Sequence, residues 1–497
     1  MANYISIDVG AESGRVSLIS FRDEKIYLRE IYRFPTGGTF LPVNGREAFV
    51  WNIVRFLDEI LNGLKMSKNF GEINSIGIDT WGLDFALLDR TGMLISLPYH
   101  YRDLRTEGMM EYAFKRVGKK YIYENTGIQF MQINTLYQLL SMVVNNSPLL
   151  KIAETFLMIP DLFNYWLTGV KVCEFTDATT TQFYNPFKKY WSIELLEKLN
   201  IPTKIFPEIV GPGTILGDLR ESVSNRIGYN VKVIATTSHD TASAVAAVPA
   251  ANKNFAYISS GTWSLVGVEV DKPIVNELSF KYNFTNEGGY NYTYRFLKNV
   301  SGLWLIQELR REWYIDNRII SYPEIVKIAA EKRGFQYFID PDYKEFIFLS
   351  NLKMSERIIR YCKETGQKSP KNLGEIARTI FESLAFKYRW VIEKIEKIIG
   401  RRIDTIHIVG GGSKNTLLNQ LTSDITRKTV IAGPSEATTI GNAVVQMISM
   451  NEIGDLKKAR KIISNSFKLQ KYTPIVDENI VEEAYTKWLE KTGIKVF

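Results

Sequence analysis

Tyr4-Ile-Ser-Ile-Asp-Val-Gly-Ala-Glu-Ser-Gly-Arg-Val-Ser-Leu18 has a counterpart in the second half of the chain, Ala256-Tyr-Ile-Ser-Ser-Gly-Thr-Trp-Ser-Leu-Val-Gly-Val268. Each stretch is a β-branched run, a tight turn of Gly, Ser or Thr, and a second apolar run. That pattern reads as a hairpin whose tip is crowded with small donors. Glycine lets the main chain approach an anion without a Cβ in the way, so such a tip suits phosphate. Two of them in one chain predict two related domains that hold a polyphosphate, and hence an ATP-using enzyme.

Working outward, the 497 residues leave room for two large domains or three smaller ones. A hydrophobic content of 45% with 23% charged residues is that of an ordinary folded protein. The net charge of +8 is spread without a basic stripe or basic–aromatic run, which argues against nucleic acid and membrane partners. With only Cys173 and Cys362 and three histidines, His100, His239 and His407, no zinc- or iron-binding spacing can be assembled. The cysteine usage fits a reducing cytoplasm. The first strand begins at Tyr4, too early for a signal peptide, and Ala242–Ala251 is too short to span a bilayer.

Strands and helices alternate along the rest, so the class is α/β. Ile26–Arg33 reads as a strand and Ala48–Lys65 as a helix. Ile73–Gly92 reads as strand, turn at Trp81-Gly82, and strand. Helices are expected over Thr106–Val117, Leu136–Asn145 and Pro160–Leu167, the last ended by Gly169. Val231–Thr236 is a buried strand that runs into an alanine-rich helix start at Ser238–Ala247. In the second half, apolar residues at helical spacing predict a long helix over Leu373–Ile399, stopped by Gly400. Thr405–Val409 and Thr429–Ala432 read as strands. The first opens a glycine turn and helix at Gly410–Leu421, and the second precedes a helix from Ala437 to Met450. The domain junction is expected near residues 247–254, giving domains 1–247 and 248–497, with the last helices able to pack back on the first.

Four motifs carry candidate chemistry. Asp8, at the end of a buried strand beside Ala11–Arg15, is placed to face Mg²⁺ while turn donors touch phosphate. In Ser238-His239-Asp240-Thr241, Asp240 reads either as a helix N-cap or as the base for a substrate hydroxyl. Gly410-Gly411-Gly412 is an incomplete dinucleotide fingerprint, because Asn415 stands where the third glycine belongs, and a turn lying against adenine or ribose explains it better. No P-loop pattern is present. Asp79–Phe85 reads as a hairpin with a core tryptophan, whose exposed backbone at Gly82 would suit a sugar hydroxyl.

Together these pieces resemble the FGGY family of carbohydrate kinases, nearly end to end. The resemblance is carried by Ile7–Arg15, Ser75–Phe85, Tyr101–Thr106, Gly127–Phe130 with Asn134–Leu139, Thr176–Gln182, Ser238–Ala244, Ser259–Ser264, Asn286–Gly289, Leu297–Leu305 and His407–Gly412. Within the family, Asp79–Phe85 and Gly127–Phe130 resemble the kinases that act on L-rhamnulose. The resemblance implies two duplicated ribonuclease-H-like domains around a central cleft, with ATP and Mg²⁺ as cofactors and a ketose substrate, as a monomer or small homo-oligomer. It implies phosphate contacts from Ala11, Glu12, Ser13, Gly14, Arg15 and Thr262, with Gln307 and Gly411 at the nucleotide. Gly82, His239, Asp240, Thr241 and Asn299 would hold the sugar, Asp240 would accept its proton, and Asp8 would face the metal. A glutamate at position 12 departs from the small residue that this pattern usually has. A kinase for L-fuculose or a related ketose shares the same catalytic motifs, and an actin-like nucleotide switch shares the hairpins but needs no sugar base.

Overall fold

The computed structural model describes residues 2–43, 45–315, 319–347 and 352–494. Thirteen strands build its two main sheets; Thr285–Gly288 is an edge strand of the second, and the other twelve carry the shared plan. In chain order they are β1 (Ala2–Val9), β2 (Ser13–Arg22), β3 (Lys25–Pro35), β4 (Ser75–Thr80), β5 (Thr214–Asp218) and β6 (Lys232–Ala235), then β7 (Phe255–Ser260), β8 (Trp263–Val270), β9 (Tyr294–Ser301), β10 (Thr405–Val409), β11 (Thr429–Ala432) and β12 (Gln470–Tyr472). Six helices recur between them: α1 (Ile53–Ser67), α2 (Ile159–Thr168), α3 (Asp240–Ala246), α4 (Leu373–Ile399), α5 (Thr416–Thr426) and α6 (Ala437–Ser449).

The chain forms two compact units. One comprises Met1–Pro249, Glu269–Phe296 and Ala437–Ser466; the other comprises Ala250–Val268, Leu297–Glu436 and Phe467–Phe497. In the first, the strand order is β3-β2-β1-β4-β6-β5. Strands β1, β2 and β3 are antiparallel, β1, β4 and β6 are parallel, and β5 closes the edge antiparallel. The second sheet has the order β9-β8-β7-β10-β11-β12, with Thr285–Gly288 added beyond β9, and repeats the plan: β7 is antiparallel to β8 and parallel to β10, and β12 is antiparallel at the edge. Both halves therefore read three strands, helix, strand, helix, strand, helix, apart from β5 and β12. Parallel strands need crossover helices, which cover both faces, so β4 is buried at every position and β6 and β10 at all but the first.

The two predicted hairpins are present, pairing Asp8 with Arg15 and Ser260 with Ser264. Helix α4 has the predicted limits, from the Asn372 cap, whose Oδ1 accepts the Glu375 N–H at 3.1 Å, to Gly400 at φ 69°. Two expectations fail. Arg46–Trp51 is a strand paired with Gly38–Val43, and helix α1 starts only at Ile53. Phe49, Val50 and Trp51 prefer the pleated surface, and Asn52 supplies the helix cap. Nor is Ile73–Gly92 a hairpin: Ser75–Thr80 lies in the main sheet, whereas Phe85–Leu88 pairs with Thr155–Met158. Leu83, at φ 78°, turns the chain out of the sheet. Asp84 then pins it by accepting from Trp51 Nε1 at 2.6 Å, Trp81 Nε1 at 2.9 Å, Gln138 Nε2 at 2.9 Å and the Tyr101 N–H at 3.1 Å.

Among the described residues no helix is long and apolar enough to cross a membrane. Helices α3 and α6, equivalent in the two halves, pack together inside the first unit. A Cβ at Gly441 would stand 1.8 Å from the Ser243 carbonyl oxygen. Backbone meets backbone there, and neither helix can yield without losing its contacts. Gly441→Leu is expected to lower stability by about 1–3 kcal/mol or more, as overpacking does. Gly454→Ala, where the added carbon meets nothing, should stay within about 0.5 kcal/mol of wild type. Urea unfolding midpoints of the two variants check the difference.

Candidate functional site

Three parallel strands end on one edge of the first sheet, and their C-terminal residues carry the candidate chemistry. The register sets Asp8 on β1 beside Asp79 on β4, and Thr80 beside His239 beyond β6. The Thr80 N–H donates to the Ser238 carbonyl at 2.9 Å, fixing the loop that precedes α3. Asp8, Asp79, His239, Asp240 and Thr241 are therefore brought together by register alone. Asp8 is ion-paired with Arg15, Nε to Oδ2 at 3.1 Å. Asp79 is buried and accepts from Asn442 Nδ2 on α6, and its Oδ1 has no partner among the described residues. Burial first, then the Asp8 charge, holds the Asp79 carboxyl well above the usual carboxylate range.

Asp240 is the first residue of α3, not its cap. The cap position belongs to His239, and the Asp240 carboxylate accepts instead from Thr241 Oγ1 at 3.1 Å. Of the two readings of this residue, the N-cap is thus excluded. Its side chain keeps 32% of its surface open. Burial, followed by the negative charge of Asp8, pushes its pKa up to about 7. A carboxyl reachable from solvent and poised near neutrality has the character of a general base.

The turn before β2 is tied down by Gly10 N–H to Ser13 O at 3.0 Å and Thr36 Oγ1 to Gly10 O at 2.7 Å. Ala11, Ser13 and Arg15 are half-buried and Glu12 is exposed. Gly14 has a packing reason for its identity, since a Cβ there would lie 2.2 Å from the Phe34 ring. Gly82 is buried, contrary to the expectation of exposed backbone. A side chain there would meet Asp177 Oδ1 and Thr180 Oγ1 at 3.1 Å.

Thr262, Gln307, Gly411 and Asn299 belong to the second unit. The Thr262 turn is closed by Gly261 N–H to Trp263 O at 2.9 Å, and Leu303 N–H returns to Gly261 O at 2.9 Å. The triple-glycine turn lies directly on it. A Cβ on Gly412 would strike Ser260 Oγ at 2.0 Å, and one on Gly410 would meet Ser260 O at 3.0 Å. Gly411 alone faces open space. Gln307, on the helix Trp304–Ile315, has a buried Oε1 without a partner among the described residues. Asn299 sits half-buried on β9. Sequence reasoning missed Asn442, Glu174, Glu287 and Arg295. Glu174 accepts the Ser238 N–H at 3.0 Å, and Arg295 bonds His239. Only Glu287 lay inside a quoted motif.

Residues 3–247 match the N-terminal domain, and residues 256–450 the C-terminal domain, of the FGGY family of carbohydrate kinases. The chain belongs to that family. Proteins named Rhamnulokinase are similar along almost their whole length. The one from Oceanobacillus iheyensis is 44% identical over 475 residues, covering 95% of this chain and 99% of its own. That from Bacteroides thetaiotaomicron is 43% identical over 474 residues, covering 95% and 96%. Among solved structures, xylulose kinase from Lactobacillus acidophilus superposes with a TM-score of 0.79 at 16% identity, covering 99% of this chain and 97% of its own. Plasmodium falciparum glycerol kinase, solved with ADP, also gives 0.79, at 17% identity, covering 100% and 99%. The fold is thus the two-domain FGGY kinase fold, and ATP is the family's phosphoryl donor.

In this FGGY kinase the raised Asp240 carboxyl has a consequence for stability. Its folded pKa of about 7 exceeds the ordinary 3.8, so the folded state binds the proton more tightly. The stability it contributes is complete below about 3.8 and is lost as pH rises through about 7. Asp240→Asn removes the ionised form, so its melting temperature should exceed wild type at pH 8, with the gap narrowing by pH 5. A cap would behave otherwise, because Asn and Asp cap equally well and the two temperatures would coincide. Calorimetry at both pH values tests this.

Proposed function

We propose that this protein transfers the γ-phosphoryl group of ATP to the 1-hydroxyl of L-rhamnulose, with Asp240 as proton acceptor. The observation that carries the reading is the uncapped, partly open Asp240 carboxylate poised near pH 7. Phosphoryl transfer passes through a loose transition state, so it asks of its base chiefly correct placement. Asp240 takes the proton as the hydroxyl oxygen bonds to phosphorus and ADP departs. His239, Thr241, Gly82 and Asn299 hold the sugar. The amides of Ala11–Arg15 and Thr262 meet the phosphates, and Gln307 and Gly411 lie at the nucleotide. The free Gln307 Oε1 and the open face of Gly411 both support that assignment.

Mg²⁺ fits the residues of the first unit. Asp8 and Asp79 are hard oxygen donors, Asp79 Oδ1 is unpartnered, and the Asp8 charge raises both neighbouring carboxyls. Asp8 would hold the ion. Its chemistry is to neutralise charge on the phosphate oxygens. The rhamnulokinase relatives support the substrate. The thiols of Cys173 and Cys362, both free and buried, suit a cytoplasmic setting.

Asp240→Asn should lower kcat by roughly 10²–10⁴-fold, the usual worth of a positioned base, with ATP affinity little changed. In wild type, kcat/KM should climb with pH to a plateau above about 7, because the base must be ionised. Normal turnover in the folded variant would remove Asp240 from the role. Among L-rhamnulose, L-fuculose, D-xylulose, L-ribulose and glycerol, the first should give the highest kcat/KM in a coupled ADP assay. A misplaced hydroxyl leaves a buried polar group unpaired, at a cost of about 1–3 kcal/mol, which separates epimers by roughly tenfold or more. Any other ranking keeps the phosphoryl-transfer reading but not the named sugar.

A further inference from the structure

Behind His239 stands a guanidinium with no exposed surface. Arg295, on β9, has a side chain 0% exposed and a buried Nη1 without a hydrogen-bond partner among the described residues, a costly placement for a permanent charge. Its Nε donates to the Gly288 carbonyl at 2.7 Å, and its Nη2 lies 2.9 Å from His239 Nδ1 and 3.3 Å from Glu287 Oε2. Glu287, on the strand Thr285–Gly288, balances the charge and is itself 3.6 Å from His239 Nδ1. Among the described residues Asp240 also faces the ring, its Oδ1 3.4 Å from Nε2. The ring's backbone is fixed as well, with the His239 N–H donating to Thr176 Oγ1 at 3.2 Å.

A guanidinium has donors only and stays protonated, so the short Nη2–Nδ1 contact has one assignment: Nη2 donates and Nδ1 accepts. Nδ1 therefore carries no proton, and the imidazole's single proton sits on Nε2, the nitrogen turned toward Asp240. We propose that Arg295, held by Glu287 and the Gly288 carbonyl, is a positioning residue that locks His239 in the neutral Nε2–H tautomer and so aims a fixed hydrogen-bond donor at the base and the sugar hydroxyl beside it. The sugar part of this statement rests on Asp240 being the base; the tautomer does not. Burial and the Arg295 charge together hold the imidazole well below its usual range. Without the guanidinium, Nδ1 faces the Glu287 carboxylate across 3.6 Å. The proton then belongs on Nδ1, and Nε2 becomes an acceptor pointed at another acceptor, or the ring takes a second proton.

The chain has three histidines, so the test is tractable. Protein labelled with ¹⁵N-histidine gives long-range ¹H–¹⁵N correlations for each ring, assigned with His100→Gln and His407→Gln. In wild type, His239 should show the Nε2–H pattern unchanged from pH 5.5 to 9. In Arg295→Met it should change tautomer or titrate within that range. That variant's kcat for L-rhamnulose should fall on the order of tenfold to a hundredfold, as when a group that orients a functional imidazole is removed. Its KM for ATP should hold. An Nδ1–H pattern, or a titration, in the wild-type protein overturns the proposal even if the variant does not fold. An unchanged spectrum in folded Arg295→Met overturns it too. If the tautomer is as stated but Asp240→Asn is fully active, the Asp240 reading fails and the Arg295 assignment stands.

Discussion

Like charges forced together at the ends of parallel strands are the constraint around which the first unit is built. Parallel pairing fixes Asp8 beside Asp79, and the next strand delivers Asp240 to the same edge. Carboxylates so placed repel in a medium where water is scarce, and each raises the proton affinity of the others. The fold offsets this with groups drawn from distant sequence. Arg15 pairs with Asp8, Asn442 donates to Asp79 from α6, and Arg295 adds a buried positive charge. What remains uncompensated is shared by Asp79 and Asp240, whose carboxyls both stay raised. Complete neutralisation would have given a more stable unit and a carboxylate with an ordinary pKa.

That balance explains which parts of the molecule were legible in the sequence. Hairpins β1–β2 and β7–β8, the long helix α4 and the strands β10 and β11 were readable because local pattern and tertiary role coincide there. Asn372 and Gly400 bracket an apolar stripe, and the glycine turns can be nothing else. Ala48–Trp51 was misread as helix because a short amphipathic run suits either structure until its partner strand is known. Trp81–Asp84 was misread for a different reason. Asp84 is satisfied by two indoles, a glutamine and an amide from segments that no local window contains. The compensating groups Asn442, Glu174 and Arg295 were invisible for the same cause. A lone Asn on a mostly apolar helix, or a lone Arg in a strand, has no signature before register supplies its neighbour.

Strain at Leu83 belongs to the same design. A branched side chain at positive φ is unfavourable, by about 1–3 kcal/mol for such conformations, and persists only where surroundings overdetermine it. Here they do. Its carbonyl accepts from Thr135 Oγ1 at 2.6 Å, its N–H reaches Thr180 Oγ1 at 3.3 Å, and Asp84 is clamped next to it. The turn places Gly82 against Asp177 and Thr180, a few residues from the Glu174–Ser238 bond that holds the Asp240 loop. Misplacing one part of this polar lattice would leave others buried and unpaired, which gives a segment without regular structure a single conformation.

The duplicated topology also carries two opposite charge patterns on one plan. Turn and register make Ser259 the counterpart of Asp8, and Val409, beside it, the counterpart of Asp79. At the start of α6 an alanine, Ala437, stands where α3 begins with Asp240. All three carboxylates of the first edge are therefore missing from the second, and glycine turns stacked on Ser260 occupy the space. A polyanion is repelled by unpaired carboxylates and attracted by backbone donors. Charge is thus concentrated at the strand ends of one copy and removed from those of the other, where glycine turns pack on Ser260 instead.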